Sequence, residues 1–304
     1  MKTLVIVNPA ASGGKAIGDY ESQILPLLKK MLKDFDVNYT KGPGDAWKIA
    51  SAATGYDRVI SVGGDGTLNE IVNGLKSSER NLPIVGIIGV GTGNDLMRTL
   101  KTPEQYEETV KIATGEQYVL ADLLEVDFTD FEGVKQKRFA VNVVGMGLDA
   151  AVARRLNSYK RKSRGKAGYV RAFLIEFFKS RKVPMTVEAD NGKHNGKYFI
   201  VAAGNGEYFG GGMRICPGAL LDDGMLKIVE VGCRGKFHVL MNFPKIFAGT
   251  HLGVKGVYSY DTRAITVESS APVPIEMDGE VVGTLPIRIS VRQKQVKFTS
   301  SVPS

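Results

Sequence analysis

The chain predicts an α/β domain followed by an all-β domain. An N-terminal doubly wound parallel sheet is expected over residues 1–120, and a C-terminal antiparallel β-sandwich over residues 121–304. Three observations carry this. Short β-branched runs alternate with helical patterns in the first third, and the texture turns β-rich from Tyr118 onward. Glycine, at 36 of 304 residues, is far more frequent than usual and clusters directly after the early strands. The last strand is a candidate to return to the first domain.

In the first half, strands are expected at Leu4–Val7, Val37–Thr40, Val59–Val62 and Ile84–Ile88. Apolar residues at helical spacing fill the gaps: helices over Ile24–Leu32, Trp47–Ala53 and Leu68–Leu75, and a further one from Pro103 to Thr114. Strands interleaved with helices at this spacing make βαβ units. The second half supplies strands at Leu123–Phe128, Arg138–Val144, Met185–Ala189, Lys197–Ala203, Leu226–Val231, Ala264–Ser269 and Ile287–Val291. Helical patterns interrupt it only at Asp149–Lys182 and Gly235–Ala248.

Composition excludes several classes. With 43% hydrophobic and 24% charged residues the chain is not a disordered tail. No apolar run approaches the roughly 20 residues of a spanning helix, and Asn8-Pro9 cuts the opening apolar stretch too short for a secretory signal. Cys216 and Cys233 lack metal-ligand spacing and His194, His238 and His251 stand alone, so zinc is disfavoured and a reduced, cytoplasmic compartment is expected. The net charge of +8 is local: Arg154–Lys182 holds eleven Lys or Arg against the single acid Glu176, leaving the remainder at −2. A concentrated patch on a near-neutral body suits an anionic partner. A solvated helix face is the plainer explanation.

Chemistry concentrates in the glycine turns. Val59-Ile60-Ser61-Val62 runs through Gly63-Gly64-Asp65-Gly66-Thr67 into a helix, an arrangement in which backbone amides and the helix N-terminus meet phosphate. Asp65 in such a cradle repels an anion unless Mg²⁺ accompanies it. Thr67 with Glu70, and Thr92 with Asp95, have capping-box spacing. A second turn, Gly89-Val90-Gly91-Thr92-Gly93-Asn94-Asp95, follows the next strand, and Asn8 to Lys15 follows the first. In a parallel sheet these loops open on one edge. Neither the P-loop nor the Rossmann glycine signature is met.

Taken in order, these elements resemble the diacylglycerol kinase catalytic-domain superfamily, which includes bacterial-type diacylglycerol kinases and other lipid kinases related to sphingosine and ceramide kinases. The resemblance spans nearly the whole chain. Its motifs are Val7-Asn8-Pro9 with Ser12-Gly13, Thr40 with Gly44-Asp45-Ala46, Gly63 to Thr67, Gly91 to Asp95, Asn142 with Gly145 to Ala150, Gly204-Asn205 with Gly210 to Gly212, Pro217 with Asp222-Asp223-Gly224, and Met277-Asp278-Gly279-Glu280. The Gly-Gly-Asp-Gly element is also shared with NAD kinases and phosphofructokinase-like enzymes.

The resemblance implies transfer of the γ-phosphate of ATP to the hydroxyl of diacylglycerol or a related lipid alcohol, in a cleft between domains. It implies ATP contacts from Asn8, Thr40, Gly63, Gly64, Asp65, Gly66, Thr67, Gly91, Thr92, Gly93 and Asn94, with Lys15 and Arg98 as candidate phosphate cations. Asp65 and Asp95 are implied to organise Mg²⁺, and Glu280 to act as the base, although Asp278-Gly279 also reads as a plain tight turn. Asn142, Gly147 and Asp149 would shape the acceptor pocket; Asp149 could equally cap a helix. A second, structural Mg²⁺ is a further candidate at Asp223 with the carbonyls of Leu220 and Met225, against the same turn reading. The alternatives are a catalytically silent nucleotide-binding module that adheres to membranes, and a kinase of a soluble alcohol.

A lipid kinase without a spanning helix must collect its acceptor at the bilayer surface. Arg154, Arg155, Lys160, Arg161, Lys162, Arg164 and Lys166 offer attraction to anionic headgroups at the inner face of the membrane. Tyr169, Phe173, Leu174, Phe177 and Phe178 offer apolar contact, although helical spacing favours core packing for them. The helix with Phe237, Leu240, Met241, Phe243, Ile246 and Phe247 could line an acyl channel, with core packing the better explanation. Nucleic acid is not an expected partner, and a homodimer is a candidate assembly.

Overall fold

The computed structural model describes residues 1–77, 83–91, 93–158, 166–232 and 235–301. They form two units, one of Met1–Ala121 with the chain from Lys294 onward, the other of Asp122–Gln293.

The first unit is built on a parallel sheet. Strand β1 (Thr3–Val7) lies between β2 (Asp36–Tyr39) and β3 (Arg58–Gly63), and β3 pairs with β4 (Ile84–Gly89). The end of the final strand, residues 297–298, continues the sheet parallel to β4. Every residue of β1 and β3 is buried, as expected for strands covered on both faces. Helical path α1 (Ala16–Asp19) and α2 (Leu25–Met31) is joined by a π-type turn over Tyr20–Ile24. It therefore starts earlier than the expected Ile24. Pro26 lacks an amide to donate, and the path widens just before it. Tyr20, Ile24 and Leu28, four residues apart, are fully buried against Val5, Ile60 and Ile88. Helices α3 (Asp45–Ser51), α4 (Asp65–Lys76), α5 (Asp95–Thr99) and α6 (Tyr106–Thr114) complete the unit.

The second unit is a β-sandwich with helices on one side. The expected strand Arg138–Val144 is two strands, β6 (Lys135–Ala140) and β7 (Val143–Gly147), the first paired with β5 (Tyr118–Thr129). The break falls at Val141 and Asn142, whose amides donate to the Asp278 carboxylate instead of a strand. Helices α7 (Leu148–Ser158) and α8 (Lys166–Lys179) follow, then the hairpin β8 (Val183–Ala189) and β9 (Gly192–Tyr198). The expected strand Lys197–Ala203 is likewise split, because β10 (Ile200–Gly204) pairs with β7 and with β11 (Leu226–Val231) while the Phe199 carbonyl accepts the Leu148 amide. Helices α9 (Lys236–Asn242) and α10 (Lys245–Ala248) precede β12 (Val257–Thr262), a strand outside the sequence expectation. Strands β13 (Ala264–Glu268) and β14 (Pro274–Met277) pair with the 20-residue β15 (Glu280–Thr299), of which the expected Ile287–Val291 is the middle.

Alternation along β10 divides the core. Val201 and Ala203 join the sandwich interior with Val144, Met146 and Ile275, whereas Ile200 and Ala202 face a cluster with Val152, Tyr169, Phe173 and Phe177.

Candidate active site

In the first unit the loops after β1, β2, β3 and β4 sit level, because Val7 is in register with both Tyr39 and Val62, and Gly63 with Gly89. Asn8 donates its side-chain amide to the Thr67 hydroxyl at 2.8 Å, and the Thr40 amide donates to the Val7 carbonyl at 2.9 Å. Asn8, Thr40 and the Gly63–Thr67 turn are therefore neighbours. Gly64 and Gly91 approach through their backbones: a Cβ on Gly91 would lie 2.9 Å from the Gly64 Cα, so Gly91 has no room for a side chain, whereas a Cβ on Gly64 would make an ordinary contact at 3.7 Å. A shallow, open depression lies here, lined by Gly63, Gly64, Asp65, Gly89, Asn94 and Met97 among others.

The acids of this edge are already engaged. Asp65 Oδ1 accepts the Asp95 amide at 2.8 Å, and buried Asp95 pairs with Arg98 at 3.3 Å. Arg98 also donates to the Gly93 carbonyl, so it serves the loop's shape as well as its charge. A Cβ on Gly93 would lie 2.5 Å from Asp65 Oδ2 and 3.6 Å from Asp95 Oδ2, which places one oxygen of each carboxylate beside the same backbone atom. Two carboxylates together with phosphate oxygens suit a Mg²⁺ that arrives with a nucleotide. Among the described residues no three acidic, His or Cys groups form a metal cage of their own. Lys15 is exposed after the turn Ala11–Gly14. Thr92 lies outside the described residues, as do Cys233, Lys160, Arg161, Lys162 and Arg164.

The expected Thr67–Glu70 capping box is not formed, and the second one has its cap, Thr92, outside the described residues. Helix α4 begins at Asp65 with Gly64 as its N-cap, and Glu70 instead accepts the amides of Gly44 and Ala46 at 2.8 and 3.1 Å. Those amides open α3, and a charged acceptor at a helix start outcompetes the local bond. Helix α5 begins at Asp95 itself, preceded by Asn94 at φ 52°. Asp95 is thus the first helical residue, too early in the helix to complete the box.

In the second unit, Glu280 opens β15 directly after a two-residue turn in which Asp278 (φ 48°) and Gly279 (φ 91°) are both left-handed. The tight turn and an exposed carboxylate coexist: the Glu280 side chain is 62% exposed and pairs with Arg138 at 3.0 Å. The Asp278 carboxylate accepts the amides of Val141, Asn142 and Val143 at 2.7, 3.0 and 3.1 Å, and Glu276 accepts the Gly279 amide.

Asn142 is buried; its Nδ2 donates to the Tyr208 carbonyl, and its Oδ1 has no hydrogen-bond partner among the described residues. Gly147 (φ 114°) ends β7, where a Cβ would lie 2.6 Å from the Phe199 carbonyl oxygen. Asp149 sits in the first turn of α7, its Oδ1 accepting the Ala150 amide at 2.9 Å and its Oδ2 buried without a partner among the described residues. Burial pushes this carboxyl up to about 7. The Asp149 and Glu276 carboxyl groups both crowd Gly145, where any side chain would overlap Asp149 and approach Glu276 Oε2 to 3.2 Å.

Leu220, Asp223 and Met225 share one turn. Asp223 Oδ1 accepts the Met225 amide at 2.9 Å, which satisfies the plain turn reading, and exposed Leu220 stands at its start. Asp223 is nevertheless raised by burial and by the nearby carboxylates of Asp261, Asp122 and Asp222, an environment that favours a cation. Fully buried Asp122 accepts the Gly224 amide at 2.7 Å.

Residues 2–126 match the diacylglycerol kinase catalytic domain, and residues 142–299 match the YegS C-terminal NAD kinase beta sandwich-like domain. The chain belongs to the diacylglycerol kinase family. Among its relatives, a diacylglycerol kinase of Staphylococcus haemolyticus is 29% identical over 93% of this chain and 83% of its own. A probable YegS-like lipid kinase of Yersinia enterocolitica is 25% identical over 95% of this chain and 93% of its own. The crystal structure of a putative diacylglycerol kinase from Bacillus anthracis superposes with a TM-score of 0.80 at 28% identity, covering 99% of this chain and 95% of that one. The chain is thus a lipid kinase, a phosphotransferase with an alcohol acceptor.

Sequence reasoning missed Asp122 and Glu276, and it saw Glu70 only as a helix cap and Asp278 only as a turn residue, whereas both accept amides remote in the chain. Asp122 left a signal, being an acid within the apolar run Val119 to Leu124. Glu276 left the same one between Ile275 and Met277. An acid at a position where the strand pattern demands an apolar residue is held by something specific.

Proposed function

We propose that this kinase transfers the γ-phosphate of ATP to the hydroxyl of diacylglycerol or a closely related lipid alcohol, with Glu280 as the general base. The observation that carries the reading is the Asp65–Gly93–Asp95 arrangement on the glycine-loop edge, where two carboxylate oxygens flank one backbone position beside open space. The amides of the Gly63–Thr67 turn and of α4 hold the phosphates, Asn8 and Thr40 position the nucleotide, and Lys15 meets the phosphate charge. Mg²⁺, when bound by Asp65 and Asp95, neutralises charge on the phosphoryl oxygens.

On the acceptor side, Asp149 and Asn142 each keep a buried oxygen without a partner among the described residues, which suits a lipid hydroxyl as donor. Glu280, held by Arg138, takes the proton of the attacking hydroxyl as its oxygen bonds to the γ-phosphorus and ADP leaves. A second Mg²⁺ would be held at the Leu220–Met225 turn by Asp223, with the carbonyls of Leu220 and Met225, and would there offset the carboxylate charge. Among the described residues no helix is long and apolar enough to cross a membrane. The kinase reaches its substrate at the cytoplasmic face by adhesion of the basic stretch Arg154–Lys182. Of the aromatic residues there, Tyr169, Phe173 and Phe177 are buried core and take no part in bilayer contact.

Transfer of radiolabelled phosphate from ATP to a panel of lipid alcohols in mixed micelles tests the reading; nucleotide binding without product on any lipid overturns it. Glu280→Gln is expected to lower kcat by about 100-fold or more with nucleotide affinity retained. Full activity in that variant removes Glu280 from the chemistry.

A further inference from the structure

Phe178, Phe237 and Met241 are 62%, 77% and 66% exposed. They are not scattered. Phe237 and Met241 stand four residues apart on α9 and so share one face. Lys236 Nζ donates to the carbonyl of Phe178 and lies 5.9 Å from the Phe177 ring centroid, which sets the start of α9 against the end of α8. The inward sides of the same helices are fixed: Phe177 is fully buried, Phe173 stacks on Phe243 with centroids 3.9 Å apart, and Val239 and Leu240 pack on the same cluster. That base holds three large apolar side chains largely in water; Phe178 keeps an edge contact with the Phe177 ring, centroids 5.9 Å apart.

The two segments that carry them hold charge of one sign, and Glu176 just before the first is paired with Arg155. Segments 177–184 and 235–250 carry Lys179, Arg181, Lys182, Lys236 and Lys245 and no acidic residue. Lys179, Arg181 and Lys245 are exposed. Apolar residues among lysines and arginines complement a phospholipid surface, where the cations meet headgroup phosphates and the rings reach the acyl boundary. A second copy of the chain fits poorly, because a symmetric contact brings two such cationic sets together.

We propose that the end of α8 and the Phe237–Met241 face of α9 form an apolar wedge that inserts into the headgroup–acyl boundary of an anionic phospholipid bilayer. The inference rests on the lipid-kinase reading for its purpose, and it locates the embedded surface outside the Arg154–Lys166 basic run.

Cosedimentation with phosphatidylcholine vesicles, with and without phosphatidylglycerol, tests it without reference to catalysis. Combined Phe237→Ala and Met241→Ala is expected to lower vesicle partitioning about tenfold or more. Combined Lys179→Glu and Lys245→Glu is expected to abolish the preference for phosphatidylglycerol. In a Trp47→Phe background, Phe237→Trp gives an indole that lipids brominated near the acyl boundary quench. On dihexanoylglycerol below its micelle concentration, the alanine double variant turns over at the wild-type rate and fails only on vesicles. Vesicle binding unchanged in that double variant, an unquenched indole, or a dimer in free solution that the double variant dissolves with vesicle binding intact each overturns the wedge. If the wild type phosphorylates no lipid, the kinase reading fails separately, and cosedimentation still decides the wedge.

Discussion

Asp278 offers a test in which the structure orders three substitutions at one position. Its Oδ1 accepts the Asn142 and Val143 amides and its Oδ2 accepts the Val141 amide, so one carboxylate closes the gap between β6 and β7 while its backbone forms the turn that presents Glu280. Asparagine keeps one oxygen for the first two amides but turns an NH₂ group toward Val141, and it tolerates the left-handed φ of 48°. The expected cost is about 2 kcal/mol, from one lost bond, a donor facing a donor and the lost charge. Glycine loses all three bonds and keeps the backbone relaxed, for about 3 kcal/mol at roughly 1 kcal/mol per abandoned amide. Alanine adds left-handed strain of about 1 kcal/mol, for about 4 kcal/mol in all.

Urea unfolding of the wild type and the Asp278→Asn, Asp278→Gly and Asp278→Ala variants, compared at unchanged m-value, reads these differences as shifts in midpoint. The ranking Asn, Gly, Ala is the claim. An alanine variant within about 0.5 kcal/mol of the wild type, inside the range of ordinary surface substitutions, refutes the structural role of the carboxylate. Alanine and glycine costing the same refutes the strain component. Glu280 follows Asp278 by two residues, so the loss in kcat should follow the same ranking.

Three further outcomes follow from the site. Because burial raises Asp149 to about 7 from an ordinary 3.8, the folded chain keeps a proton that the unfolded chain releases across this window. Stability therefore falls as pH rises from 3.8 to about 7 and levels off above it, a decline that Asp149→Asn removes; an unaltered pH profile in that variant contradicts the assignment. Mg²⁺ without nucleotide should raise Tm by about 2 °C or more in the wild type and leave Asp223→Asn unmoved, and equal response in both removes Asp223 as a ligand. Gly93→Ala places a methyl 2.5 Å from Asp65 Oδ2, displacing the group that holds the Asp95 amide. Nucleotide Kd measured by calorimetry should rise about tenfold, the equivalent of one such bond, and an unchanged Kd argues against the Asp65–Asp95 edge as the nucleotide site.

Much of this arrangement was legible because it is local. Runs such as Val59–Val62 and Ile84–Ile88 announce buried parallel strands, and the glycines that follow announce turns, since both are decided within a few residues. The Asp278-Gly279 turn between Met277 and Glu280 was equally visible. What was not visible depends on partners remote in the chain. Arg138–Val144 reads as one strand until Asp278, some 136 residues away from Asn142, takes its amides. Glu70 fits a capping box by spacing and is taken instead by Gly44 and Ala46, 26 and 24 residues earlier.

The same distinction bears on the aromatic residues. Tyr169, Phe173 and Phe177 recur every four residues, and that spacing correctly favours the core. Phe237 and Met241 have the same spacing on a helix whose other apolar residues, Val239 and Leu240, are partly buried against the core, yet they face water. Periodicity identifies a shared face and is silent on which face finds a neighbour. In α9 the neighbour, α8, takes the face of Leu240 and Phe243, and the remaining apolar residues are left among lysines. A helix apolar on more than one side requires a second apolar surface. For a kinase whose acceptor is a lipid, the bilayer that holds the acceptor is a surface of that kind.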